Sequence, residues 1–236
     1  LASRTAISHN ALAMKPHTTP SHIPLWLKLS YTAFMAVLLP VYWYHYGVTN
    51  FLFFCDVALI LTLVGVWLEK PLLISLPAVG ILIPQAIWCI DFVSELTGHK
   101  LTGMTSYMLD AQRPLILRAL SLFHGWLPFM LLFLVTRVGY DRRALKGWSY
   151  TATALCLFSF FMLPAPGSAE VLANPQLPYN VNYVFGMSET EPQNWMHPNL
   201  YLLAWLSALI ALVYVPTHAL LLKICPTPAQ AAASRS

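Results

Sequence analysis

Residues 51–96 read FLFFCDVALILTLVGVWLEKPLLISLPAVGILIPQAIWCIDFVSEL. Two apolar runs, Phe51 to Leu68 and Leu72 to Phe92, flank the short break EKP. A hydrocarbon core takes about 20 helical residues to cross, so this stretch predicts two membrane-crossing helices joined by a tight turn. Four more runs of the same kind lie outside it, Pro24 to Tyr46, Leu115 to Val138, Trp148 to Leu163 and Pro198 to Leu222. The expected fold is all-α, an integral membrane bundle of six transmembrane helices.

Composition excludes a soluble globule. Hydrophobic residues make up 58% of the 236 and charged residues 9%, against roughly 45–50% and about 25% in soluble domains. With so few charges most of the exterior must face lipid. Pro40, Pro84, Pro128 and Pro216 fall inside the runs, where neighbouring helices can accommodate the kinks.

The connections carry turn chemistry and set orientation. Ten of the thirteen Lys and Arg stand in the N-terminal tail, the EKP turn, the loop GYDRRALKG and the C-terminal tail, leaving Lys100, Arg113 and Arg118 on the other side. Basic residues stay cytoplasmic, so both termini are expected there, and the net charge of +4 reports topology rather than nucleic-acid binding. The expected organisation is a polar cytoplasmic tail over 1–23, a transmembrane domain over 24–224 and a short disordered tail over 225–236. The first 23 residues lack the apolar core of a secretory signal, and with the sequence opening on Leu1 the natural start is expected upstream.

Polar residues inside the runs are the candidates for chemistry. Asp56 is the one acid well inside a span. At mid-helix it costs about 2.5–3.5 kcal/mol, while each Phe, Leu, Ile or Val returns roughly 0.3–0.6. The helix still inserts, but the carboxyl needs a partner within the bundle. Helical rise puts Cys55 and Asp56, His124, Gln85, Cys89 and Asp91 into one slab. Asp56 and His124 are expected to face one another there. Two readings stand for each: a hydrogen-bonded packing group, or part of a nucleophile and base pair with Cys55 or Ser121 attacking. Cys55, Cys89, Cys156 and Cys225 form no CxxC; with no ligand-spaced histidines either, no metal and no cofactor are expected.

NFLFFCDVALIL (50–61), YMLDAQRPLILRALSLFHGWLPFMLLFL (107–134) and NVNYVFG (180–186), in that order, resemble the androgen-induced-protein family of membrane fatty-acid-ester hydrolases and the related bacterial YwaF-type and acyltransferase-like proteins. The similarity covers about residues 45–220. It implies a six-span bundle with a nucleophile in the FFCD motif and a histidine in the FHG motif. Phe54 stands where the hydrolase branch has its threonine, Cys55 matches the cysteine of the acyltransferase-like branch, and His124 matches the histidine of both. Asn182 and Tyr183 resemble the Asn-Tyr pair of the YwaF-type loop.

The first functional expectation is therefore lipid acyl chemistry, as esterase or acyltransferase, in a bacterial inner membrane. Cys55 would be the nucleophile, His124 the base, Asp56 the orienting charge and Gln85 an oxyanion donor. The alternative is a non-catalytic accessory subunit of a larger membrane complex. Membrane lipids are the expected partners in both, with other membrane protein subunits in the second.

Overall fold

A computed structural model describes residues 23–174, 177–188 and 191–234. Helices follow the apolar runs closely: α1 (Leu25–Tyr46), α2 (Phe54–Leu68), α3 (Pro71–Leu96), α4 (Leu115–Ser121), α5 (Phe123–Val138), α6 (Ala144–Met162), the short α7 (Ala169–Ala173), α8 (Pro198–Ala208), α9 (Val215–Ile224) and α10 (Pro228–Ala233). A π-helical segment, Leu209–Tyr214, runs α8 into α9. No strand occurs among the described residues.

Four helical segments are long and apolar enough to cross a membrane: Leu25–Tyr46, Pro71–Leu96, Leu115–Val138 and Pro198–Ala233. The count is four rather than the expected six for local reasons. Residues Val48–Leu52 form a 3-10 turn, which delays the start of α2 and leaves it 15 residues long. α6 has 19 residues, but Lys146, Ser149, Tyr150, Thr151 and Thr153 dilute its apolar character.

The chain runs up and down, so both described ends of the bundle chain meet at one side, the terminal end. Loops 97–114 and 164–197 lie at the opposite, loop end. α3 is central and packs on α2, α5, α6 and the last span. Small residues permit that closeness. A Cβ on Gly80 would come within 1.9 Å of the Trp148 indole, and one on Gly65 within 2.9 Å of Ile74.

The terminal end is tied by polar bonds. Glu69, held at φ 50° as the C-cap of α2, takes Lys28 Nζ at 2.6 Å and the Ile23 amide at 3.4 Å. Of the tail expected to be disordered, residues 226–234 are described and carry a short helix. Thr227 and Gln230 form a capping box that starts α10, and the Tyr140 amide donates to Pro226 O at 2.7 Å. Gly139, at φ 87°, lets Pro228 lie against it where a Cβ would collide at 2.4 Å. Of the expected N-terminal tail, Ile23 is buried, and residues 1–22 lie outside those described.

Candidate functional site: a polar belt near the loop end

Two breaks in hydrogen bonding between α4 and α5 shape the site. At Leu122 the helix tightens, and the Gly125 amide turns to Leu122 O at 2.9 Å instead of reaching Ser121 O. The released carbonyl is taken by His124 Nδ1 at 2.8 Å. Because a carbonyl only accepts, Nδ1 carries the proton and Nε2 keeps its lone pair. One turn later Pro128 has no N–H, which frees His124 O for the Cys89 thiol at 3.7 Å. The imidazole stacks on Trp88 at 4.9 Å and 17° and on Phe123 at 4.0 Å.

This bonding differs from the expected Asp56–His124 pair. His124 satisfies Nδ1 within its own helical turn, and no hydrogen bond joins it to Asp56 or Cys55 among the described residues. Asp56, 3% exposed in the first turn of α2, accepts from Asn50 Nδ2 at 3.0 Å through Oδ2, and its Oδ1 has no partner. Cys55 beside it is half-buried.

Ser121 is also spent. Its hydroxyl donates to Leu117 O at 3.0 Å, so the Tyr42 hydroxyl, also 3.0 Å away, is the donor in their mutual bond. A serine whose proton rests on a backbone carbonyl and whose lone pair receives a phenol is a poor nucleophile. The Tyr107 hydroxyl lies close to Ser121 and to the Trp88 indole. Burial raises the Tyr107 phenol above its ordinary range, so it stays a neutral donor. Tyr42 also neighbours Asp56 and Cys55, which joins α1, α2, α3, α4 and the 97–114 loop into one belt.

The belt holds more polar atoms than bonds. Gln85, 2% exposed on α3, has both amide atoms buried without a partner, and the Trp88 N–H has no acceptor at bonding geometry. Buried polar groups are almost always satisfied. Asp56, Gln85 and Trp88 leave polar atoms in the belt without a protein partner, as do Trp148, Ser159 and Tyr214 elsewhere in the bundle. No group of three His, Cys, Asp or Glu among the described residues is placed to hold a metal ion.

Two elements near the belt are architectural. Asp91, grouped by depth with the candidates, accepts Thr102 N at 2.7 Å, Gly103 N at 3.3 Å, Thr105 N at 3.0 Å and Thr105 Oγ1 at 2.7 Å. It is the peg on which loop 97–114 is wound. Asn182 accepts the Phe54 amide through Oδ1 and donates through Nδ2 to Leu52 O, both at 2.9 Å. It thus caps α2, whose own N-cap residue supplies no side-chain bond, from 128 residues away. Asn180, Asn182 and Tyr183 adopt φ of 48°, 60° and 59° to build this loop, conformations that cost about 1–2 kcal/mol for a residue with a Cβ. Bonds from Trp205 Nε1 to Asn182 O and from Tyr201 OH to Tyr183 O hold it in place.

Tyr42, Tyr107, Asn50 and Trp88 were not among the residues expected at the site. Tyr42 was legible: Tyr31, Met35, Leu38 and Tyr42 repeat at helical spacing on the buried stripe of α1, and a phenol at the end of such a stripe needs a partner. Tyr107 and Asn50 sit in turns with no pattern to place them.

Comparison with family models, with curated proteins and with solved structures finds no match to this chain.

Proposed function

We propose that the chain is an integral membrane protein of six spans, α2 and α6 being added to the four long apolar segments, and that it performs acyl chemistry on a membrane lipid ester. Both termini are cytoplasmic and the belt lies in the outer half of a bacterial inner membrane, in keeping with Lys28, Lys70, Arg137, Arg142, Arg143, Lys146 and Lys223 at the terminal end. The motif resemblance of FFCD and FHG to the androgen-induced-protein and YwaF-type families supports the same chemistry.

The observation that carries the proposal is the tautomer of His124. Its Nδ1–H is donated to Ser121 O, which leaves Nε2 of the neutral ring as the acceptor. In the substrate complex Cys55 Sγ gives its proton to Nε2 and attacks the ester carbonyl. The oxyanion takes the unpaired Gln85 amide N–H. Collapse breaks the C–O bond, and His124 returns the proton to the leaving alcohol. Water or a second alcohol, deprotonated by His124, then releases the acyl group from Cys55. Catalytic contacts commonly tighten only when substrate binds, and this scheme requires such an approach of Cys55 to His124.

A second reading, an accessory subunit, is favoured by the large apolar side chains exposed on loop 164–197, Leu172, Met187 and Trp195. One experiment separates them. The full chain in lipid vesicles is assayed against long-chain lipid esters, with Cys55→Ala, His124→Ala and, as control, Cys156→Ala, which lies on α6. Loss of turnover in the first two with the control active supports acyl chemistry. An inactive wild type that purifies with other membrane chains replaces it with the subunit reading.

A further inference from the structure

Charge is divided unevenly between the two ends of the bundle. Among the described residues, seven Lys and Arg side chains stand at the terminal end beside two carboxylates, Glu69 and Asp141. Both carboxylates are taken, Glu69 by Lys28 at 2.6 Å and Asp141 by Arg143 at 2.7 Å. Residues 1–22 and 235–236 contain no acid that could neutralise the rest. Arg142, in the turn before α6, and Lys146, in the first turn of that helix, are exposed. Neither makes an ion pair among the described residues. Arg142 neighbours His218 of α9, which brings no negative charge to it.

The helix that begins at this turn has two contrasting faces. Lys146, Tyr150, Leu157 and Phe161 fall within about 60° of one another at about 100° per residue, and all four are exposed. Trp148, Ala152, Cys156 and Ser159 form the opposite, buried face. Helical rise puts Tyr150 about 6 Å, Leu157 about 16 Å and Phe161 about 22 Å from Lys146. The exposed face is therefore ordered as a phospholipid is: charge first, then a ring with one polar tip, then hydrocarbon. Its apolar part begins within one leaflet, since half a bilayer core is about 15 Å, and a tyrosine between charge and hydrocarbon marks the interface.

We propose that the outer face of α6 seats an acidic phospholipid, its phosphate on Arg142 and Lys146 and one acyl chain along Leu157 and Phe161. A zwitterionic lipid would cover the apolar stripe equally well, but it brings an ammonium to two cations that have no carboxylate of their own. An acidic protein segment or a free phosphate would satisfy the cations and leave Leu157 and Phe161, farther along the helix, uncovered. The proposal rests on the reading of α6 as a membrane-crossing helix and uses no step of the Cys55 chemistry.

The test places the full chain in phosphatidylcholine vesicles doped with a photoactivatable lipid, either phosphatidylglycerol or phosphatidylcholine, each carrying a diazirine at the start of one acyl chain. The ratio of label from the two lipids at Tyr150 should favour phosphatidylglycerol. At Met162, exposed at the far end of the same helix, it should be near one. Arg142→Gln and Lys146→Gln should each lower the Tyr150 ratio by up to about fivefold, the effect of one basic residue at an anionic surface, and Lys146→Arg should keep it. Raised salt should lower it too. Both side chains are exposed, so the variants should melt as the wild type does. Equal labelling by the two lipids at Tyr150, or a ratio indifferent to both glutamine variants, overturns the proposal. So does loss of the preference in inorganic phosphate but not in chloride of equal ionic strength, which would mean a free-anion site. Absence of label at Tyr150 from both lipids while Met162 is labelled would mean that protein covers this face, and overturns it as well. No label from either lipid anywhere on α6 overturns it together with the six-span reading. Cys55→Ala should leave every ratio unchanged, and a wild type with the preference but no turnover keeps the lipid site and removes the acyl chemistry.

Discussion

Asp91 and Asp56 sit near the same end of neighbouring antiparallel helices, 1% and 3% exposed, and are bonded in opposite ways. Asp91 receives four hydrogen bonds from loop 97–114. Asp56 receives one from Asn50 and leaves Oδ1 bare. Depth in the membrane therefore does not distinguish the two acids; the hydrogen bonding of their oxygens does. The loop around Asp91 is organised by its acid, while the belt around Asp56 is organised by other things, the Leu122 break and the Tyr42–Ser121 bond, and the acid is added to it.

The largest expected effect follows from that contrast. Asp91→Ala strands the amide and hydroxyl of Thr105, itself fully buried, along with two more amides. The loss should be roughly 2–5 kcal/mol at about 1–3 per stranded group, with partial relaxation. Asp56→Ala deprives only the Asn50 amide of its acceptor and should cost under about 1 kcal/mol, or stabilise, because it removes a poorly compensated buried acid. Thermal unfolding of both variants in detergent, with protease cleavage in loop 97–114 as a second readout, checks this. Equal losses would break the distinction and make Asp56 architectural too.

A smaller effect sharpens the difference between the packed middle of the bundle and the belt. Gly80→Ala drives a methyl into the fully buried Trp148, and overpacking of this kind costs about 1–3 kcal/mol. Gly125→Ala, one residue past His124, meets nothing within 4 Å and should be neutral or gain up to about 1 kcal/mol from helix propensity. Melting temperatures of the pair suffice. A damaging Gly125→Ala with intact secondary structure would mean that the space beside Gly125 is filled, against the absence of any atom within 4 Å of that Cβ.

Much of this was legible in the sequence because apolar length is a local property. The ends of α1, α3, α6 and of α4 and α5 taken together fall within a few residues of the runs that predicted them. What was not legible depends on contacts between distant segments. No Pro or Gly marks the break at Leu122, so the release of Ser121 O, and with it the orientation of His124, could not be read. Residues 225–233 look too polar and small to fold alone; they do so because Gly139 admits Pro228. Asn182 reads as a loop residue, and its role as the cap of α2 exists only once the chain has returned.

The smallest effect concerns a third carboxylate, at the terminal end. Asp141 is gripped by Arg143, with Nη2 at 2.7 Å from Oδ2 and Nε at 3.0 Å from Oδ1, and its oxygen also accepts the Arg143 amide at 3.0 Å. Hydrogen bonding to the Arg143 side chain holds the Asp141 carboxyl below the usual carboxylate range, against the opposing effect of its own burial. Since the folded value lies below the unfolded one of about 3.9, the contribution to stability is full above that pH and is lost as pH falls through the folded value. Wild-type stability should accordingly carry an acid limb beginning near pH 4, and Asp141→Asn should flatten part of it while changing little at pH 7. The Arg143 side chain is 77% exposed, so water and salt screen the pair, and raised ionic strength should shrink the difference between wild type and variant. Asp91, enclosed by its loop and bonded to neutral donors, should show no such salt sensitivity. An Asp141→Asn loss at pH 7 as large as that of Asp91→Ala would mean that an exposed ion pair can organise this bundle as firmly as a buried, fully bonded acid.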